Sequence, residues 1–210
     1  MIERKETERQ IVHIIFGLVI VLLLYFDFLN AYSLAIVTII AFVLFYLARK
    51  YKIFIFYNIL ERLERKEDLI NFPGKGPLFY LIGSFFVVAF FEKDIAMASI
   101  IILALGDSIP YIVGAKFRKI KSPFNDKKYL EGSFAGFLAA FVGASLILWV
   151  ADADASIGFI VLQAFFASLV AMIAEGIDIK IKLKKIDDNL IVPIVAAITI
   201  WVLRFLGKMV

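Results

Sequence analysis

The sequence predicts an all-α fold, a polytopic transmembrane helix bundle of about seven spans with its N-terminus cytoplasmic. Three observations predict it. Of 210 residues, 62% are hydrophobic, and the mean hydropathy of +0.92 is far above that of a soluble domain. Apolar runs near the length of a bilayer crossing recur from end to end, separated by short charged segments. The positive charges of those segments fall almost entirely on one side of the implied membrane.

The apolar runs cover about 11–28, 31–48, 77–91, 95–115, 130–150, 156–174 and 190–207. A straight crossing takes about 20 residues, so 77–91 is the short one. The leading MIERKETERQ is too acidic for a signal-peptide n-region and no small-residue cleavage site follows, so the first run is expected to remain as a span. Between the second and third runs, Ile53, Phe56, Tyr57, Leu60 and Leu63 keep helical spacing, while Glu61, Arg62, Glu64 and Arg65 take the other face. That pattern predicts an amphipathic helix in the interface over about 52–70. No internal repeat is evident, which gives no support to an inverted-repeat transporter.

Seven spans put the termini on opposite sides. With the N-terminus inside, 20 of the 23 Lys and Arg residues lie on the inner side, and only Lys93, Arg204 and Lys208 lie outside. The same pattern accounts for the pI of about 9.2 without nucleic acid as a partner. The absence of cysteine excludes disulfides, thiolate metal sites and cysteine nucleophiles, and a single histidine excludes a multi-histidine metal centre.

The stretch IAMASIIILALGDSIPYIVGA, 95–115, places Asp107 inside a span. A charged side chain at mid-bilayer costs about 2.5–3.5 kcal/mol on insertion scales and marks a functional site by default. The predicted topology gives Asp107 company at the inner face: Arg9 and His13, Glu131, Glu175, and Asp187, Asp188 and Asn189. Carboxylates with nearby Lys and Arg suit a Mg²⁺–nucleotide, since magnesium takes one or two carboxylates plus phosphate oxygens and basic side chains neutralise phosphates. Phosphoryl transfer needs mainly positioning and charge neutralisation, which such groups supply. Each residue also has a plainer reading. An acid at a helix start is often a cap. Lys180, Lys182, Lys184 and Lys185 serve as topology determinants. A lone His13 packs and hydrogen-bonds. The Phe72-Pro73-Gly74-Lys75-Gly76-Pro77 run lacks the P-loop pattern and reads as a turn.

The motifs GDSIPYIVG (106–114), KKYLEGSFAGFLAA (127–140) and AEGID with IDDNLIVP (174–193) together resemble those of the CTP-dependent lipid-alcohol kinases, a family of dolichol, phytol and CTP-using diacylglycerol kinases. The stretch from Glu6 to His13 is similar to that family's N-terminal ExxRKxxH element. Gln10, Arg118 and Tyr129 depart from the family pattern. The resemblance implies one membrane-embedded kinase domain over 1–210. It would transfer the γ-phosphoryl group of CTP, with Mg²⁺, to the hydroxyl of a membrane lipid alcohol: a polyprenol, a geranylgeraniol-like alcohol or a diradylglycerol. It also implies the site residues: Asp107, Asp188 and Glu131 as catalytic; Arg9, Lys127, Lys128 and Asn189 toward the nucleotide; Asp107, Glu175, Asp187 and Asp188 toward the metal. Gly132 and Gly136 would let the fifth span approach a neighbour closely. The oligomeric state is left open. Two alternatives stand beside this reading. One is a CTP-dependent phosphatidate-type cytidylyltransferase, whose KD…HGGxxDR signature is missing here. The other is an ion-coupled transporter, which would put its charges near mid-membrane.

Overall fold

The computed structural model describes residues 2–51, 72–114, 116–117, 119–121, 129–152, 155–177, 180–181 and 184–208. Seven helices run through them: α1 (Ile2–Tyr25), α2 (Ala31–Tyr51), α3 (Lys75–Phe90), α4 (Lys93–Gly114), α5 (Leu130–Ala151), α6 (Ile157–Gly176) and α7 (Asp188–Gly207). Six are long and apolar enough to cross a membrane. The exception, α3, has 16 residues, or about 24 Å at 1.5 Å per residue, against a hydrocarbon core of about 30 Å. Between α6 and α7 a two-residue antiparallel pair, β1 (Lys180–Ile181) with β2 (Lys184–Lys185), closes the connection. The interfacial helix expected over 52–70 lies outside the described residues.

The helices begin and end where local chemistry dictates. At the start of α2, Asn30 and Ser33 cap each other: Ser33 N–H donates to Asn30 Oδ1 at 3.0 Å and Asn30 N–H to Ser33 Oγ at 2.8 Å. Asp187 caps α7 by accepting the Asn189 N–H at 3.2 Å. Helix α1 starts nine residues before its apolar run because IERKETERQ, though polar, is made largely of good helix formers.

Helix α4 is the core. Two thirds of its most apolar window is buried (67%), against 17–39% for the other long helices. It packs on α1, α3, α5, α6 and α7. Its Ala, Ser and Gly positions admit neighbouring backbones, which is how helices associate where lipid removes the hydrophobic drive. The large side chains left exposed on the other helices, such as Ile15, Phe134 and Trp201, make up a lipid-facing exterior.

Because successive helices alternate direction, the starts of α1, α3, α5 and α7 share one end with the finishes of α2, α4 and α6. The opposite end is closed by ion pairs. Arg204 Nε donates to Gln163 Oε1 at 2.9 Å and its NH1 to Glu92 Oε2 at 2.8 Å, while NH2 binds Asp94. Lys93 Nζ meets Asp27 Oδ1 at 2.6 Å.

Candidate functional site

The first end carries the described residues singled out from sequence: Arg9, His13, Asp107, Glu131, Glu175 and the Asp187–Asn189 start of α7. Asp107 is a partly buried carboxylate seven residues before the end of α4, with 24% of its side chain exposed. His13 Nε2, from α1, approaches its Oδ2 to 3.8 Å, too far for a hydrogen bond. No hydrogen-bond donor reaches the Asp107 carboxylate among the described residues. His13 packs edge-on against the Tyr80 ring of α3, centroids 4.6 Å apart. Tyr80 is 1% exposed, its hydroxyl has no hydrogen-bond partner among the described residues, and it fills the notch at Gly17.

Arg9 lies one turn before His13. It pairs with Glu6, and its buried Nε has no hydrogen-bond partner among the described residues. Glu131, in the first turn of α5, accepts the Ile120 N–H at 3.0 Å, so it ties the α4–α5 connection to the helix start. Lys127 and Lys128, expected toward the nucleotide, lie outside the described residues, as does Arg118. Glu175 is buried near the finish of α6, 3% exposed.

At the start of α7, Asp187 Oδ1 accepts both the Asn189 N–H and the Asn189 side-chain amide at 2.9 Å. That amide nitrogen also donates to the Gly76 carbonyl of α3 at 3.4 Å. Two acceptors on one side fix which way the amide faces and leave the buried Oδ1 without a partner among the described residues. Asp187 Oδ2 faces Lys75 Nζ at 3.7 Å. Burial pushes the Asp187 carboxyl above the ordinary carboxylate range. The Asn189 N–H and Lys75 oppose that rise, and neighbouring Asp188 adds to it.

Two prolines shape the site in the same way. Pro110 and Pro193 sit inside α4 and α7, each four residues after a motif residue, Gly106 or Asn189. A proline has no N–H to give, so the carbonyls of Gly106 and Asn189 lose their helical donors. Each freed oxygen lies against a glycine of the adjoining helix. Gly106 O is 2.9 Å from where a Cβ on Gly136 would stand, and Asn189 O is likewise in contact range of one on Gly83. A Cβ on Gly132 would likewise stand 2.5 Å from the Pro110 carbonyl oxygen. The close approach expected of Gly132 and Gly136 is therefore present, and its partner is the proline turn beside Asp107.

Among the described residues no three carboxylate or histidine side chains converge into a cation cage. That donor set still fits magnesium, which is commonly held by one or two carboxylates with substrate phosphates completing the shell. Asp107, with no donor reaching its oxygens, is the residue best placed to offer them.

The structure adds Lys75 and Tyr80 to the residues picked from sequence. Lys75 carried a signal, a Gly-Lys-Gly turn at the inner end, but its approach to Asp187 joins positions 112 apart in the chain. Tyr80 carried none, being one aromatic among eight tyrosines.

The fold and this end together define a polytopic helical membrane protein with an acidic and basic cluster at one end of its bundle. Comparison narrows the class. The chain is 31% identical over 198 residues to an uncharacterised protein of Methanocaldococcus jannaschii, covering 93% of each. It is 32% identical over 139 residues to phytol kinase 1, chloroplastic, of Arabidopsis thaliana, covering 62% of this chain and 42% of that one. It is 28% identical over 153 residues to CTP-dependent diacylglycerol kinase 1 of Eremothecium gossypii, covering 65% and 46%. This chain spans less than half the length of those kinases. No protein-family model and no solved structure matches it. Over about two thirds of its length the chain is thus similar to lipid kinases, phytol kinases and a CTP-dependent diacylglycerol kinase among them.

Proposed function

We propose that this protein is an integral membrane kinase that moves the γ-phosphoryl group of CTP to the hydroxyl of a membrane lipid alcohol, at the cytoplasmic face. The observation that carries the reading is Asp107. It is a carboxylate within a span, with no hydrogen-bond donor among the described residues, at the bundle end where α7 presents its Asp187–Asn189 cap. A carboxylate so placed is costly unless a ligand completes it. The likeness to phytol kinases and to the CTP-dependent diacylglycerol kinase supports the donor and the kind of acceptor.

In this mechanism the lipid alcohol enters laterally with its hydroxyl at Asp107. The hydroxyl oxygen bonds to the γ-phosphorus, the bond from that phosphorus to the bridging β,γ oxygen breaks, and CDP leaves. Asp107 orients the hydroxyl and takes its proton as the new bond forms. Arg9, Lys127 and Lys128 neutralise phosphate charge, and Asn189 contacts the nucleotide. Asp187 and Asp188 hold the start of α7 and, with Asp107 and Glu175, are the candidate magnesium ligands. Bound magnesium would supply charge neutralisation on the phosphate oxygens.

Purified protein is incubated with CTP labelled in the γ-phosphoryl group and a panel of polyprenols, isoprenoid alcohols and diradylglycerols, and products are separated by thin-layer chromatography. Label should move into lipid with release of CDP. Release of pyrophosphate, with cytidine entering the lipid, would replace this reading by a cytidylyltransferase. No nucleotide turnover with any acceptor would reject it.

A further inference from the structure

We propose that Lys75, in the turn before α3, is a further nucleotide-contacting residue whose ammonium binds the phosphate chain. This rests on the kinase reading above for the identity of the ligand, though not for its charge.

The turn is built to hold this lysine in place. Pro73 is buried, and the Lys75 N–H donates to the Phe72 carbonyl at 3.2 Å. Gly74 is left-handed at φ 86°, with the Phe45 ring packed where a Cβ would stand, so only glycine fits there. The Asn189 amide fastens Gly76 to the α7 cap. The turn is thus tied to the site rather than swinging free of it.

The ammonium itself is left available. It lies 3.7 Å from Asp187 Oδ2 and 6.0 Å from the Phe79 ring centroid, near enough for attraction and outside hydrogen-bond range. Its three N–H donors therefore have no acceptor among the described residues. The cations at the far end behave differently: Lys93 and Arg204 close on their carboxylates at 2.6 and 2.8 Å. A structural salt bridge would be expected to close in the same way. Lys75 is held near its partner and not engaged by it. Beside it, no described residue lies within 4 Å of where a Cβ on Gly76 would stand, which leaves room for a ligand among the described residues. The starts of α3 and α7 lie side by side and point the same way, so both helix dipoles favour an anion here. A multiply charged phosphate chain meets all of these conditions.

The test compares wild type, Lys75→Gln and Lys75→Arg, each as the full chain in lipid vesicles. Equilibrium binding of CTP and of inorganic tripolyphosphate is measured alongside KM for CTP and for the lipid alcohol. Lys75→Gln should weaken both bound anions tenfold or more and raise the CTP KM to match. The lipid KM should stay within twofold. Lys75→Arg should recover most of the loss, because it restores the charge. Unchanged anion binding in Lys75→Gln, or an effect confined to the lipid KM, would overturn the proposal. So would equal loss in both variants with a fall in melting temperature, since that marks a packing role. The tripolyphosphate arm needs no turnover. If wild type transfers no phosphate from CTP yet binds tripolyphosphate in a Lys75-dependent way, the kinase reading fails and the anion site stands.

Discussion

Gly136→Ala tests whether close packing of α4 on α5 positions the site. A Cβ there would lie 2.8 Å from Pro110 Cδ and 2.9 Å from Gly106 O, with Pro110 Cγ nearer still. Carbon atoms rest at about 3.5–4.0 Å, so α5 must back away by roughly 1 Å. Overpacking of this kind costs about 1–3 kcal/mol. Alanine returns up to about 1 kcal/mol in helix propensity, leaving a net loss of about 1 kcal/mol. Activity should suffer more than stability. Glu131 lies five residues before Gly136 on the same helix, and a displacement of about 1 Å near reacting groups can cost roughly a hundredfold. Turnover of labelled CTP and unfolding in mixed micelles are measured together, with Gly158→Ala as the control. A Cβ on Gly158 meets only Ser156 Oγ at 3.8 Å, an ordinary contact. That control should keep its activity and match or slightly exceed wild-type stability. Wild-type turnover and stability in Gly136→Ala would refute the claim that this glycine sets the spacing of the site.

Other perturbations separate the remaining roles. Asp107→Asn should fold at least as well as wild type, because it removes a desolvated charge, while phosphoryl transfer falls below detection; near-normal transfer would remove Asp107 from the mechanism. Asp187→Asn keeps a good cap but loses a carboxyl whose folded pKa is raised by burial. Such a group binds its proton more tightly when folded, so wild-type stability should fall as pH rises past the ordinary carboxylate range, and melting curves of the variant should lose that slope. Arg204→Gln strands the carboxylate of Asp94, 17% exposed, and should cost about 1–3 kcal/mol in micellar unfolding. Lys121→Cys in this cysteine-free chain should label only from the cytoplasmic side; labelling from outside alone would invert the topology.

Much of the architecture was legible from hydropathy alone. The apolar runs at 31–48, 95–115 and 130–150 correspond to α2, α4 and α5 with ends shifted by three residues or fewer. The exception is α1, which starts at Ile2 because a polar stretch of good helix formers carries the helix past its apolar run. The clustering of Asp107, His13 and the α7 cap at one end follows from alternation, which counting spans reveals. What counting misses is lateral order. Nothing in the sequence says that α3 lies beside α7, and that neighbourhood alone brings Lys75 to Asp187 and Gly76 to Asn189. The role of Pro110 and Pro193 was hidden for a similar reason. A proline four residues after a motif position is visible in the sequence, but the glycine that receives the freed carbonyl is on another helix.

The two ends of the bundle differ in how their charged groups are paired. At one, Arg204 joins α7 to α6 and to the start of α4 through three side chains. At the other, Asn189 ties α7 to the start of α3, but His13 with Asp107 and Lys75 with Asp187 stand near one another without closing. A helix held most firmly at one end tilts about that end. Over a helix of 20 residues, about 30 Å long, a tilt of about 5° there moves the opposite end by nearly 3 Å. That is the width of a hydrogen bond. In the proposed reaction, a substrate arriving between the helices would complete the contacts at Asp107 and Lys75 that the protein leaves open.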